Sequence, residues 1–113
     1  MGNSVNKVQL LGNLGGDPEV VNFENGNKLA KFNMATTEYY KGTDGELAEA
    51  TEWHTVVFWG KTAEAIENYL RKGSKVLVYG ALKTRSWEDD EGNTKYKTEI
   101  NGREIIFLDP KES

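Results

Sequence analysis

Trp53 and Trp59 lie six residues apart in Thr51-Glu-Trp-His-Thr-Val-Val-Phe-Trp-Gly60, and Trp87 closes the segment Lys83-Thr-Arg-Ser-Trp87. Side chains alternate faces along a strand, so residues 53 and 59 project from the same side. Large rings on one sheet face, edged by Lys and Arg, are what a surface needs to stack unpaired bases while holding phosphates. The same rings would serve equally well in a packed core, and the spacing alone leaves both uses open.

Covalent chemistry has less to work with. His54 is the only histidine and there is no cysteine, so an imidazole base lacks the thiol or second His it would most readily work with. Glu52 or another carboxylate can pair with His54, but that pattern is generic, and its face, opposite Trp53, suits packing or an interface hydrogen bond. Gly12-Asn-Leu-Gly-Gly16 lacks the Lys-Ser/Thr of a phosphate loop and the dinucleotide spacing, and reads as strand geometry. Glu88-Asp-Asp-Glu91 lacks the EF-hand spacing and reads as a solvated hairpin tip. No pair of carboxylates stands out as a glycosidase pair. The sequence thus predicts no catalytic residue, no metal site and no cofactor.

The elements that must carry the rings follow from alternation and turns. Val5 to Leu14 reads as a strand with Val8, Leu10 and Gly12 on one face, broken at Gly15-Gly16-Asp17-Pro18. Asn25-Gly26 marks a turn. Leu29 to Tyr40 alternates, with Ala30, Phe32 and Met34 against Lys31, Asn33 and Ala35. Lys41 to Ala50 is polar and reads as a long hairpin loop, and Thr51 to Trp59 as the next strand. Ala63, Ile66 and Leu70 recur at helical spacing within a helix predicted over Lys61 to Lys72. Lys75 to Trp87, Thr94 to Ile100 and Arg103 to Leu108 read as further strands. A short all-β barrel with one helix between its third and fourth strands is the oligonucleotide-binding (OB) architecture. The expected fold is a five-stranded antiparallel Greek-key barrel. Phe32, Phe58 and Phe107 are assigned to its core.

At 113 residues the chain makes one domain with a modest core. The absence of cysteine excludes disulfides and thiolate metal sites. The apolar run Val76 to Leu82 is too short to span a bilayer. Met1-Gly-Asn-Ser-Val-Asn6 opens no signal peptide and lacks the hydroxyl of a myristoylation site. A soluble cytoplasmic protein is expected. The net charge of −4 speaks against a polyanionic partner only as an average. Between Asn68 and Trp87 stand five basic residues and no acid, while acids gather in turns, and salt screens a distant loop within about 10 Å.

Among Tyr39, Tyr40, Trp53, Phe58, Trp59, Tyr69, Tyr79, Trp87 and Tyr96, basic neighbours favour four as stacking residues. These are Tyr40 beside Lys41, Trp59 near Lys61, Trp87 near Arg85, and Trp53, which shares the face of Trp59.

Several segments, in order and at a common spacing, are similar to one family. They are Asn6-Lys-Val-Gln-Leu-Leu-Gly-Asn-Leu-Gly-Gly-Asp-Pro-Glu19, Ala35-Thr-Thr-Glu38, Thr51-Glu-Trp-His54, Tyr69-Leu-Arg-Lys-Gly-Ser74, Val78-Tyr-Gly80 and Lys83-Thr-Arg-Ser-Trp87. Together they resemble the bacterial single-stranded DNA-binding protein over nearly the whole chain. The resemblance implies an OB-fold protein that binds single-stranded DNA without sequence preference, as a homotetramer, with no catalysis and no cofactor. It puts base stacking on Tyr40, Trp53, Trp59 and Trp87, and phosphate contacts on Lys41, Lys61, Lys72, Lys83, Arg85 and Lys95. It assigns Lys7 and His54 to subunit contacts. Tyr40 stands where the family commonly has Trp, and Trp59 where it commonly has Phe. Thr55, Val21 and Ser86 occupy positions that are often basic, which implies weaker phosphate affinity or a changed salt dependence. The expected organisation is one OB domain over 1–110 and a short disordered end over 111–113, without the family's acidic tail. Replication and repair proteins enter as partners only through a tail beyond this sequence. The rival functions are an OB module for RNA or oligosaccharide, and a protein-interaction adaptor with a degenerate groove.

Overall fold

The three hairpin turns are built alike, and they set the register of most of the sheet. Asn25, Asp44 and Asp89 each turn a side-chain oxygen back onto the backbone N–H two residues on, at 3.0 Å in each case. This is the local Asx bond that makes such residues turn formers. Each turn is also closed by a backbone bond, Phe23 to Asn27, Gly42 to Glu46 and Asp89 to Asn93. The Asp89 carboxylate is thus engaged by its own hairpin, as expected of a solvated tip.

A computed structural model describes residues 4–109. Its elements run β1 (Val8–Leu14), β2 (Glu19–Asn22), β3 (Lys28–Lys41), β4 (Leu47–Trp59), α1 (Gly60–Tyr69), β5 (Lys75–Glu88) and β6 (Thr94–Phe107). The strands order as β1-β5-β6-β4-β3-β2, and β1 also pairs with β3 through Asn13↔Ala35 and Leu14↔Met34. That last pairing closes β1, β5, β6, β4 and β3 into a five-stranded barrel, with short β2 beside β3 outside the ring. All pairings are antiparallel except a short parallel ladder of β4 on β6, Val56↔Ile100 and Val57↔Asn101. The one helix among the described residues falls between β4 and β5, as the sequence order predicted. The expected end at 111–113 lies outside the described residues.

Alternation fills the barrel. Ala30, Phe32 and Met34 of β3, Val56 and Phe58 of β4, Val76 and Val78 of β5 and Ile100 of β6 are buried, and α1 plugs one end with Ala63 and Ile66, followed by Leu70. Phe32 and Phe58 stack at 6.4 Å between ring centres.

Four expectations need correction. The helix stops at Tyr69, not Lys72, because Leu70 turns extended to drop into the core and Ser74 Oγ accepts the Arg71 N–H at 3.0 Å. The polar segment Lys41 to Ala50 is half strand; β3 and β4 pair out to Lys41↔Leu47, so only the turn over 42–46 is loop. The two expected final strands are one, since Gly102 does not break β6; the register shifts there by a bulge opposite Tyr79/Gly80. Phe107 is not core: it is 36% exposed on the surface and leans on Tyr69, ring centres 6.3 Å apart.

Candidate nucleic-acid interface

Register defines one continuous outer face. Across β3 and β4 the pairs Leu29↔Trp59, Lys31↔Val57, Asn33↔Thr55 and Ala35↔Trp53 share a side, opposite the buried pairs Ala30↔Phe58 and Phe32↔Val56. Across β5 and β6 the matching side carries Lys83↔Glu99, Arg85↔Lys97 and Trp87↔Lys95, opposite core-facing Ile100. The parallel ladder joins these halves, because Val57 pairs with Asn101. The result is a sheet face that crosses four strands and alternates rings with cations.

Two adjoining clefts lie on it. One, of about 450 Å³, is bounded by Trp53, Lys31, Asn33, Lys97 and the Gly15-Gly16 backbone. The other, of about 480 Å³, is bounded by Trp59, Val57, Lys31, Lys83, Arg85 and Glu99. Lys31 belongs to both and so stands at their junction.

The rings are held differently. Trp53 lies with its six-membered ring against Gly15, so close that a Cβ at position 15 would overlap it. Gly15 itself is fixed by its N–H bond to the Asn33 carbonyl at 2.9 Å. Trp59 stacks on Phe23, centres 5.8 Å apart and planes 20° from parallel. Trp87 carries the Arg85 guanidinium over its ring at 4.8 Å from the centroid, a cation–π arrangement. Trp53, Trp59 and Trp87 remain 61%, 51% and 41% exposed, and three half-bare indoles on one face are costly unless something covers them.

The structure therefore brings together Trp53, Trp59, Lys83 and Arg85, with Trp87 and Lys95 adjoining through the β5–β6 ladder. Lys95 also lies 3.9 Å from the Asp89 carboxylate. Tyr40 is set apart: it pairs with Ala48 and has the strand parity of Met34 and His54, not of Trp53. Lys41, beside it, is at the far end of the same hairpin. Lys61 sits in the first turn of α1 and Lys72 follows the helix, where its backbone N–H bonds Asp17 Oδ1 at 2.8 Å; neither bounds a cleft. His54 is half-buried and shares a 2.9 Å hydrogen bond with Thr36 Oγ1. Lys7 is exposed just before β1.

Sequence reasoning passed over Lys31, Lys97, Glu99, Tyr39 and Phe23. Lys31 and Glu99 were accessible by parity, each being next to a core residue and so facing out. Tyr39 pairs with Glu49 on the Trp53 side, which needed the hairpin register. Phe23 belongs to no periodic pattern, and nothing in the sequence signals its stack.

The family model described as the single-strand binding protein family matches residues 5–108. The chain belongs to this family. Single-strand binding proteins are DNA-binding proteins, not enzymes. The chain is 46% identical over 110 residues to single-stranded DNA-binding protein 1 of Xylella fastidiosa, covering 96% of this chain and 81% of that one. It is 44% identical over 114 residues to single-stranded DNA-binding protein 1 of Chlorobaculum tepidum, covering all of this chain and 70% of the relative. Among solved structures, the Plasmodium falciparum SSB in complex with ssDNA matches with a TM-score of 0.87 at 36% identity, over 96% of this chain and 99% of that one. A deletion mutant of the Thermus aquaticus single-stranded DNA-binding protein matches with a TM-score of 0.80 at 28% identity, over 93% of this chain and 51% of that one. In this single-strand binding protein the half-exposed indoles and the cations beside them lie on one outer face of the barrel.

Proposed function

We propose that this chain binds single-stranded DNA without sequence preference and covers it during replication, recombination and repair. The observation that carries the proposal is the face on which Trp53, Trp59 and Trp87 alternate with Lys31, Lys83, Arg85 and Lys97. Every base has a π-face, so stacking is indifferent to sequence, and each stack contributes about 1–3 kcal/mol. Phosphates between the bases then meet the interleaved cations and release counterions. Lys41 extends this track along the β3–β4 hairpin, where Tyr40 offers a ring on the other side of the ribbon, with Lys61, Lys72 and Lys95 at the margins.

The working form is a homotetramer in the cytoplasm, associated with the nucleoid. In support, Leu11, Leu77 and Ile106 form a row across β1, β5 and β6 on their outward side, with Leu11 and Ile106 exposed in the single chain. A second copy is the occupant this row fits, with Lys7 and His54 at subunit contacts. Wrapping one strand over several such faces adds avidity with no new type of contact.

Titrating poly-dT while following tryptophan emission tests the reading. The expected outcome is strong quenching that weakens as salt is raised. No response at low salt overturns it, and an equal response to an RNA homopolymer would replace DNA by single strands in general.

A further inference from the structure

On the outer face Glu99 lies between two of the cations assigned to phosphate. Its Oε1 is 3.1 Å from Arg85 Nε and its Oε2 is 4.0 Å from Lys31 Nζ. The Glu99 side chain is only 12% exposed, whereas Arg85 and Lys31 stay 49% and 32% exposed. The same guanidinium rests over the Trp87 ring. A chain of contacts, Lys31 to Glu99 to Arg85 to Trp87, thus crosses β3, β6 and β5 along the track itself.

We propose that Glu99 is a positioning residue that acts as an internal counter-anion, occupying Lys31 and Arg85 and keeping Arg85 on Trp87 until a phosphate replaces it. This rests on the DNA-binding reading above. A carboxylate offers Arg the same planar acceptor pair as a phosphate does, so the two compete for one donor. The cation ends of both pairs stay partly exposed, so a polyanion can reach them and compete with the carboxylate. Such an exchange takes place inside the protein, so the two cations release fewer bulk counterions than their number suggests, and binding loses less with salt. One face of Trp87 becomes available to a base only as Arg85 leaves it. Glu99 is therefore set to lower the affinity, to flatten its salt dependence and to speed release of the strand.

The test is Glu99→Gln, which keeps size and an acceptor for Arg85 while removing the charge. Poly-dT affinity is measured by tryptophan quenching over a salt series, with circular dichroism to confirm the fold. Several-fold tighter binding at low salt is expected, with log K falling more steeply against log salt by about 0.7 for each cation released. Glu99→Ala must move the slope the same way, whatever it does to packing. Equal or weaker binding with an unchanged slope in both folded variants overturns the proposal. If the unsubstituted chain does not bind poly-dT at all, the DNA-binding reading fails and takes this proposal with it.

Discussion

Each indole on the outer face is fixed by a different neighbour, and that difference decides what its removal does. Trp53 rests on backbone, Trp59 on another ring, and Trp87 under a guanidinium. None of them fills the barrel, so Trp53→Ala and Trp87→Ala should leave the fold intact and lower poly-dT affinity by about 1–3 kcal/mol for each lost stack. Circular dichroism together with the titration checks this; loss of the fold in both would mean the rings are structural. Trp53, Trp59 and Trp87 were legible in the sequence because parity and basic neighbours select them. Their supports were not, because Gly15 and Phe23 come from segments that are distant in the chain and carry no alternation of their own. Tyr40 illustrates the limit of neighbour counting: adjacency to Lys41 selects it, yet register gives it the parity of the core side.

At the scale of elements, the barrel depends on one short junction, where β1 meets β3 beside the base of the track. Gly12 makes that approach possible, since a Cβ there would run into the Ala35 carbonyl oxygen. Gly12→Ala should therefore cost about 1–3 kcal/mol of stability, the usual range for overpacking a tight contact. Urea unfolding measures it, and an unchanged midpoint would show that the junction yields without strain. β1, β3 and β5 were read correctly to within a few residues because one side of each must be apolar, whereas β6 was split in two and short β2 was not read. The outer part of the β3–β4 hairpin was read as loop because both its faces are wet, which removes the alternation that signals a strand. The helix end was misjudged for a related reason: Leu70 continues the apolar spacing, but it does so in extended backbone.

The whole molecule is more extended than its length requires. Its radius of gyration is 16.7 Å, against about 13 Å for a compact chain of this size. The excess comes from the outer halves of the two long hairpins, β3–β4 and β5–β6, whose residues are almost all exposed. Light scattering should report a tetramer, and Leu11→Lys, placed in the outward apolar row, should shift it to smaller species without unfolding the chain. A monomer at micromolar concentration for the unsubstituted chain would rule the assembly out. The five-stranded ring and its helix were legible at this scale, since element order and strand length specify them. The parallel β4–β6 ladder was not, because it depends on how the barrel closes and leaves no trace in local pattern.

Both outer hairpins are two-stranded ribbons, and beyond the barrel a two-stranded ribbon has open hydrogen-bonding edges. Such edges are templates on which another chain can add a strand and begin to aggregate. Here the ribbons carry Glu38, Glu46, Glu49, Glu52 and Lys41 on one, and Glu88, Lys83, Arg85, Lys95 and Lys97 on the other. Charges spaced in this way are the means by which natural sheets keep edges from pairing. The acids of the β3–β4 ribbon, like the cations of the β5–β6 ribbon, thus have a protective use: they discourage other β-strands from joining long, bare ribbons that carry exposed rings.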